Sequence, residues 1–285
     1  MNTPTFFLVG APKAGTTSLF RYLGAHPEIS VAAMKEPCFF APEVPVDPET
    51  DAHRRDWDAY LQLFAHAGAA RAIGEGSVAY FSSPNAAAAI HARLPRAKIL
   101  MMLRDPADRL FAHYSAARVA GVTTRPFTDW VSEQQRVEFA RAPVFGSVWA
   151  GCYATHLARF QAHFPAAQLH VSDYDDFILD ADAVLSAIFA FLDVDARVII
   201  DRAERHNVTT ISKWPALDAL RQPMSALLQQ MLPPAVFARA RAWSREPFHL
   251  TPTPADRAHA IALYRDEIES LSRLTGRDLS RWLTV

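Results

Sequence analysis

Cysteine is nearly absent: the 285 residues hold two, Cys38 and Cys152. Two thiols cannot build a disulfide framework, so a reducing compartment is the default. Long apolar runs are also missing. None reaches the roughly 18 residues that a membrane-spanning helix needs, and the N-terminus lacks the basic start, apolar core and cleavage site of a secretory leader. These absences predict a cytoplasmic protein with no membrane span. Neither sign of charge is in excess. The formal net charge of −1 gives no support to bulk nucleic-acid binding. The 11 histidines form no pair at a ligand spacing such as H-E-x-x-H, which predicts no metal. There is no internal repeat, no low-complexity tract beyond scattered alanine, and no linker rich enough to mark a boundary. Residues 1–285 are therefore expected to form one domain.

What is present is an ordinary globular composition, half hydrophobic and about a fifth charged, organised as strands alternating with helices. Short apolar runs predict strands at 5–9, 29–31, 72–75, 98–103 and 168–172. Helical patterns fall at 16–25, 57–65, 85–94, 107–119, 153–164 and 181–192. Pro84 and Pro106 sit near helix starts, where a missing N–H costs little. After residue 198 the pattern is helical, with a loop at 202–212 and a last helix at about 254–274 ended by Gly276. The class is α/β: a single P-loop-like domain with a mainly parallel sheet flanked by helices on both faces and a helix-rich C-terminal part.

The stretch GAPKAGTTS, Gly10 to Ser18, joins the first strand to the first helix. A nucleotide P-loop reads G-x-x-x-x-G-K-[ST], with lysine after the second glycine; here Lys13 precedes Gly15. The physics is still that of phosphate binding. Backbone N–H groups at a helix N-terminus point at an anion, and the helix dipole favours negative charge there. Lys13 adds a full charge, and Thr16, Thr17 and Ser18 add hydroxyl donors; on this stretch alone, a glycine turn with an ordinary N-cap is the other reading. A second segment, KILMMLRDPADRLFAHY, puts Arg104 just past a buried strand. A magnesium-dependent NTPase usually carries an aspartate at such a point to hold the metal. Here the first polar residue is a cation, and Asp105, before Pro106, is expected to start a helix. Arginine at a strand end suits a second phosphate gripped bidentately, and ligands of open α/β sheets sit at the carboxyl ends of the strands. Two phosphate grips without a metal ligand point to a bisphosphate ligand.

With these two segments in hand, the chain resembles sulfotransferases that use 3′-phosphoadenosine 5′-phosphosulfate (PAPS). GAPKAGTTS resembles their 5′-phosphosulfate loop (Pro12, Lys13, Ala14, Gly15, Thr16, Thr17 and Ser18), and RDPADRLFAHY resembles their 3′-phosphate motif. The similarity is to the bacterial and heparan-sulfate-type branch. It continues through MKEPCFF, GEGSVAYF, GCYATHLARFQAHFP, QLHVSDYDDF and LTGRDLSRWL, nearly the whole chain. Two positions depart from the pattern. The serine usual in the 3′-phosphate motif falls at Ala112, so Ser115, one turn on and on the same helix face, is a candidate substitute. Glycan members often carry a lysine where this chain has Gly76.

The resemblance implies in-line transfer of a sulfuryl group to an acceptor hydroxyl or, second in order, an amine of a small molecule, lipid or sugar, with adenosine 3′,5′-bisphosphate (PAP) leaving. Lys13 would stabilise charge on the bridging oxygen, Arg104 would hold the 3′-phosphate, and Glu36 would deprotonate the acceptor. By position alone Glu36 is equally a surface carboxylate paired with Lys35. His113 is the rival base, or a brace for the helix after Arg104. Glu75 and Ser77 are candidates for the acceptor site, with a strand end and a satisfied carboxylate as the equal reading. Phe39, Phe40, Tyr80 and Trp214 are candidates for an apolar acceptor pocket, although aromatic residues are more often core. Lys213, in the segment that family members fold over the cofactor, is a candidate second cation or part of a solvated basic loop. Acceptor walls are expected from variable loops at 40–56, 122–145 and 243–252. The other classes weighed are a metal-dependent P-loop small-metabolite kinase and a non-catalytic nucleotide-binding protein.

Overall fold

The computed structural model describes residues 2–140, 146–202, 210–212, 245–247 and 250–285. Five strands form one sheet in the order β2-β3-β1-β4-β5: β1 Phe6–Gly10, β2 Ile29–Val31, β3 Ala72–Gly76, β4 Lys98–Leu103 and β5 Leu169–Asp173. Every neighbouring pair is parallel. Helices on both faces exclude water from the central strands. Those strands therefore read as continuous apolar runs, FFLVG and KILMML, rather than alternating ones. From β1 the chain first builds outward to β2 and β3 on one side, then crosses to β4 and β5 on the other. Such a reversal opens a crevice at the carboxyl ends of the two strands that flank it, β1 and β4.

Local chemistry fixes the elements around that crevice. α1 (Thr16–Gly24) presses Leu19, Phe20 and Leu23 onto the sheet. α6 (Pro106–Val119 in the series α2 Pro48–Ala52, α3 Trp57–Leu61, α4 Ala79–Ser82, α5 Ala86–Arg93) starts with proline at its first position. The Asp105 carboxylate caps it, accepting from the N–H groups of Ala107 (2.8 Å) and Asp108 (3.4 Å). Asp173 likewise caps α9 (Tyr174–Leu179). The C-terminal helix, Pro254–Thr275, opens with a Thr253–Asp256 capping box and ends at Gly276, as its sequence predicts. It packs against α6 and α8 (Tyr153–Gln161), and Arg257 bridges it to Asp105 and Asp108, each at 2.8 Å.

Three stretches depart from the sequence reading. Residues 122–145, read as a variable loop, contain α7 (Phe127–Ala140), held by buried Phe127, Trp130 and Val131. The helix pattern at 57–65 splits into α3 and a 3₁₀ turn, Gln62–Ala67. Beyond residue 198, Thr210–Ser212 and Arg245–Pro247, which fall in the expected loops 202–212 and 243–252, pair antiparallel. No helix among the described residues is long and apolar enough to cross a membrane.

Candidate functional site

The loop from Gly10 to Ser18 leaves β1 and is tied at once to the next strand, where the Ala11 N–H donates to the Met102 carbonyl at 2.7 Å. Lys13 and Gly15 both adopt left-handed backbone, φ 64° and 75°. Glycine is needed at position 15 for a second reason. A Cβ there would lie 2.8 Å from the Tyr174 ring. Gly15 is the N-cap of α1 and offers no side-chain cap. The first intrahelical bond runs from the Leu19 N–H to the Gly15 carbonyl, so helix geometry leaves the N–H groups of Thr16, Thr17 and Ser18 for a ligand.

These residues form one wall of a cleft of about 540 Å³. Pro12, Lys13, Gly15, Thr16, Thr17 and Ser18 line it from the loop, and Arg104 and Ala112 from β4 and α6. The two cations read from the sequence therefore share one space. Arg104 donates from Nη1 to the Lys13 carbonyl at 3.4 Å and stacks its guanidinium 4.9 Å from the centre of the Tyr174 ring. Its buried Nε–H has no partner among the described residues. An orphaned guanidinium N–H beside free helix N–H groups fits an anion with several oxygens. Desolvation by burial lowers the Lys13 pKa, since burial disfavours the charged ammonium.

Glu36 lines the same cleft. Its backbone is left-handed, φ 64°, and its N–H donates to the Gly76 carbonyl at 2.9 Å. One carboxylate oxygen accepts from the Val78 N–H at 2.8 Å and the other meets the Lys35 ammonium. Glu36 thus pairs with Lys35 and also faces the cleft. Lys35, Val78, Tyr174, Phe177 and Ile178 also line the cleft, and the sequence reading gave none of them a site role. The signal for the aromatic pair was the strand-end run SDYDDF, which sets Tyr174 and Phe177 three apart on one helix face.

Several predicted site residues lie elsewhere. Ala14 is buried behind the loop. Ser115, one turn on from Ala112, is not among the residues that line the cleft. Phe40, Glu75, Ser77 and Tyr80 are buried beneath the wall instead of lining it, and Phe39 stacks on Tyr60 with ring centres 4.5 Å apart. Burial pushes the Glu75 carboxyl up to about 7, against the opposing pull of the Tyr80, Ser77 and Tyr60 hydroxyls. His113 packs toward Trp130 of α7, centroids 6.3 Å apart. Burial, with Arg109 and Lys13 nearby, lowers its pKa to about 4. This is the geometry of a neutral brace. A Cβ at Gly76 would meet the Phe20 ring at 2.9 Å, so α1 fills the place where a lysine stem would start. Lys213 and Trp214 lie outside the described residues.

Acidic residues at the strand ends are already engaged. Asp105 is consumed by its cap and Arg257. Asp173 accepts from the Asp175 N–H at 2.7 Å and pairs with Arg281 at 2.6 Å.

Comparison with known proteins agrees with this geometry. A family profile described as the sulfotransferase family matches residues 50–197, a span that includes Arg104 and begins after the Lys13 loop. The human bifunctional heparan sulfate N-deacetylase/N-sulfotransferase 2 is 30% identical over 201 residues, covering 67% of this chain and 22% of that protein. The Drosophila melanogaster bifunctional heparan sulfate N-deacetylase/N-sulfotransferase is 26% identical over 227 residues, 72% of this chain and 21% of that protein. The chain thus spans about a fifth of the length of these curated relatives. A crystal structure of a sulfotransferase from Alicyclobacillus acidocaldarius superposes with a TM-score of 0.76 at 28% identity, covering 100% of both chains.

Proposed function

We propose, given that the chain belongs to the sulfotransferase family, that it moves a sulfuryl group from PAPS to an acceptor hydroxyl or, second in order, an amine. We read residues 1–285 as one sulfotransferase-like domain, in keeping with the full-length match to the bacterial structure. One observation carries the functional reading: Lys13 and Arg104 open into a single cleft at the carboxyl ends of adjacent strands. PAPS offers a phosphosulfate and a 3′-phosphate, one for each cation.

In this reading the N–H groups of Thr16–Ser18 and the Thr17 and Ser18 hydroxyls hold the phosphosulfate. Lys13 meets charge developing on the bridging oxygen, an electrostatic role. Arg104 fixes the 3′-phosphate with help from the Tyr174 face, a positioning role. Glu36 takes the acceptor proton, with Lys35 holding its carboxylate toward the cleft. The acceptor is a small molecule, lipid or sugar. The names of the relatives specify N-sulfotransferases, which keeps an amine in view, while the filled space at Gly76 argues for an acceptor unlike theirs.

A metal-dependent kinase would want a free strand-end carboxylate, and Asp105 and Asp173 are both spoken for by caps and arginines. A non-catalytic nucleotide binder has only Ala112 in its favour. Thermal shift separates the readings. PAP at about 100 times its Kd should stabilise the chain by about 2.7 kcal/mol, with ATP and magnesium giving little. Stabilisation by ATP–magnesium alone would overturn the proposal, and a Glu36→Gln variant that binds PAP but has lost turnover would exclude the non-catalytic reading.

A further inference from the structure

We propose that Glu75 is a positioning residue for the base: its buried carboxylate orients the Ser77 and Tyr80 hydroxyls, and these hydroxyls hold the backbone that presents Glu36. The inference rests on the reading of Glu36 as the group that takes the acceptor proton.

Glu75 is fully buried on β3. It accepts three hydroxyl protons, from Tyr60 at 2.9 Å, Tyr80 at 2.7 Å and Ser77 at 2.8 Å. A hydroxyl has one proton to give. Once Ser77 and Tyr80 have turned theirs toward Glu75, each has only lone pairs left for its other neighbour. Those neighbours are backbone donors of the segment after Glu36: the Cys38 N–H reaches Ser77 Oγ at 3.0 Å, and the Phe40 N–H reaches Tyr80 Oη at 3.2 Å.

The segment needs this hold. Glu36 and Cys38 are both non-glycine residues in left-handed backbone, φ 64° and 53°, flanking Pro37. Each such residue costs on the order of 1–2 kcal/mol and persists only where its surroundings over-determine it. Residues 36–40 lie in no helix or strand, so their amides have no ladder to join. Four bonds instead stitch them to residues 76–80: the Glu36 N–H to the Gly76 carbonyl, the Val78 N–H to the Glu36 carboxylate, and the two hydroxyl tethers. Half of that stitching depends on which way two hydroxyls point, and Glu75 sets it. Tyr60 completes the arrangement from α3. It shares Glu75 Oε1 with Tyr80 and stacks on Phe39.

Glu75→Gln tests the idea because it keeps the shape of the side chain and reverses one donor. The amide N–H₂ forces a facing hydroxyl to turn its proton toward the loop, where an N–H already points. Amide exchange should be read at pH 8, where the carboxyl of the native protein is ionised. The variant should speed exchange about tenfold, the equivalent of one lost hydrogen bond, at Cys38 if the amide nitrogen takes the Oε2 place facing Ser77, or at Phe40 if it takes the Oε1 place facing Tyr80. Ser77→Ala should do so at Cys38 alone and Tyr80→Phe at Phe40 alone. PAP affinity should stay within about twofold of the native value, because no phosphate contact changes. Release of PAP from PAPS with water as acceptor should fall about tenfold in kcat with KM unchanged. Unaltered exchange at both amides would overturn the proposal. So would exchange that rises evenly across β1 and β3, or loss of PAP binding, since either marks a general loss of structure. A native protein that does not bind PAP would instead sink the sulfotransferase reading, and the exchange pattern would still decide the role of Glu75 in holding the loop.

Discussion

At the residue scale, the site is two cations that open into one cleft. Among the described residues Arg104 keeps a buried Nε–H without a partner, and desolvation lowers the Lys13 pKa. The two should fail differently. Lys13→Ala removes a charge that matters most when the bridging oxygen becomes anionic. It should lower kcat for PAPS turnover by about 10²–10³, as for loss of an oxyanion donor, with PAP affinity changed far less. Arg104→Lys keeps the charge but loses the planar fork and the stack on Tyr174. It should weaken PAP binding by about tenfold or more, the worth of a charged hydrogen bond, with kcat at saturation little altered. Calorimetry with PAP and steady-state kinetics separate the two; an equal effect of both variants on kcat and KM would contradict the division of labour. Both cations were legible in the sequence because anion sites follow a local rule, strand then loop then helix N-terminus. Glu75 stayed open between an acceptor-site residue and a satisfied carboxylate at a strand end, for the opposite reason. A polar residue at the end of a strand buried on both faces gives no sign of which way it points. The hydroxyls that satisfy it come from Tyr60 of α3, Ser77 of the turn after β3 and Tyr80 of α4, and no local pattern links Tyr60 to β3.

At the element scale, α1 and α9 meet at Gly15. A methyl group there would enter the Tyr174 ring at 2.8 Å, and the φ of 75° disfavours any residue with a Cβ. Gly15→Ala should therefore cost about 1–2 kcal/mol of stability from the left-handed backbone alone. It should also weaken PAP binding further by displacing the ring that backs Arg104. Thermal unfolding with and without PAP measures both effects. A variant with lowered Tm and undiminished PAP stabilisation would show that Tyr174 has room to move. The five strands of the sheet and α1 were readable from their apolar runs, and α6 and the C-terminal helix from proline at their starts and, for the latter, Gly276 at the end. α7 was not, because three core residues, Phe127, Trp130 and Val131, anchor fourteen in an otherwise polar stretch that reads as loop. The antiparallel pairing of Thr210–Ser212 with Arg245–Pro247 joins segments more than thirty residues apart. Strands of three residues carry too little periodicity to announce such a pairing.

At the scale of the whole molecule, stability should depend on pH through a histidine remote from the cleft. His156 on α8 is fully buried. Its Nε2–H donates to the Trp149 carbonyl at 2.8 Å, and Nδ1 faces the Arg159 guanidinium at 3.4 Å. Trp149 and Arg159 both donate to the carbonyl of Ser82, the last residue of α4, so the ring helps to join α8, α4 and the turn before α8. Both ring nitrogens are satisfied only when the imidazole is neutral. A second proton would point at a cation, and burial has already lowered the pKa to about 3. The unfolded chain takes up that proton near the ordinary histidine value of about 6.5, and the fold does not. The stabilisation is complete above that pH. It should decline by up to about 1.4 kcal/mol per pH unit as the solution is acidified from about 6 toward 3. His156→Gln keeps a donor for the Trp149 carbonyl and cannot titrate. It should be less stable than the native protein at pH 7.5 by roughly 1–3 kcal/mol, and the gap should shrink steadily down to pH 4.5 in chemical denaturation. A gap that stays constant over that range would mean that His156 accepts its proton inside the fold, and that the Arg159 contact opens to allow it.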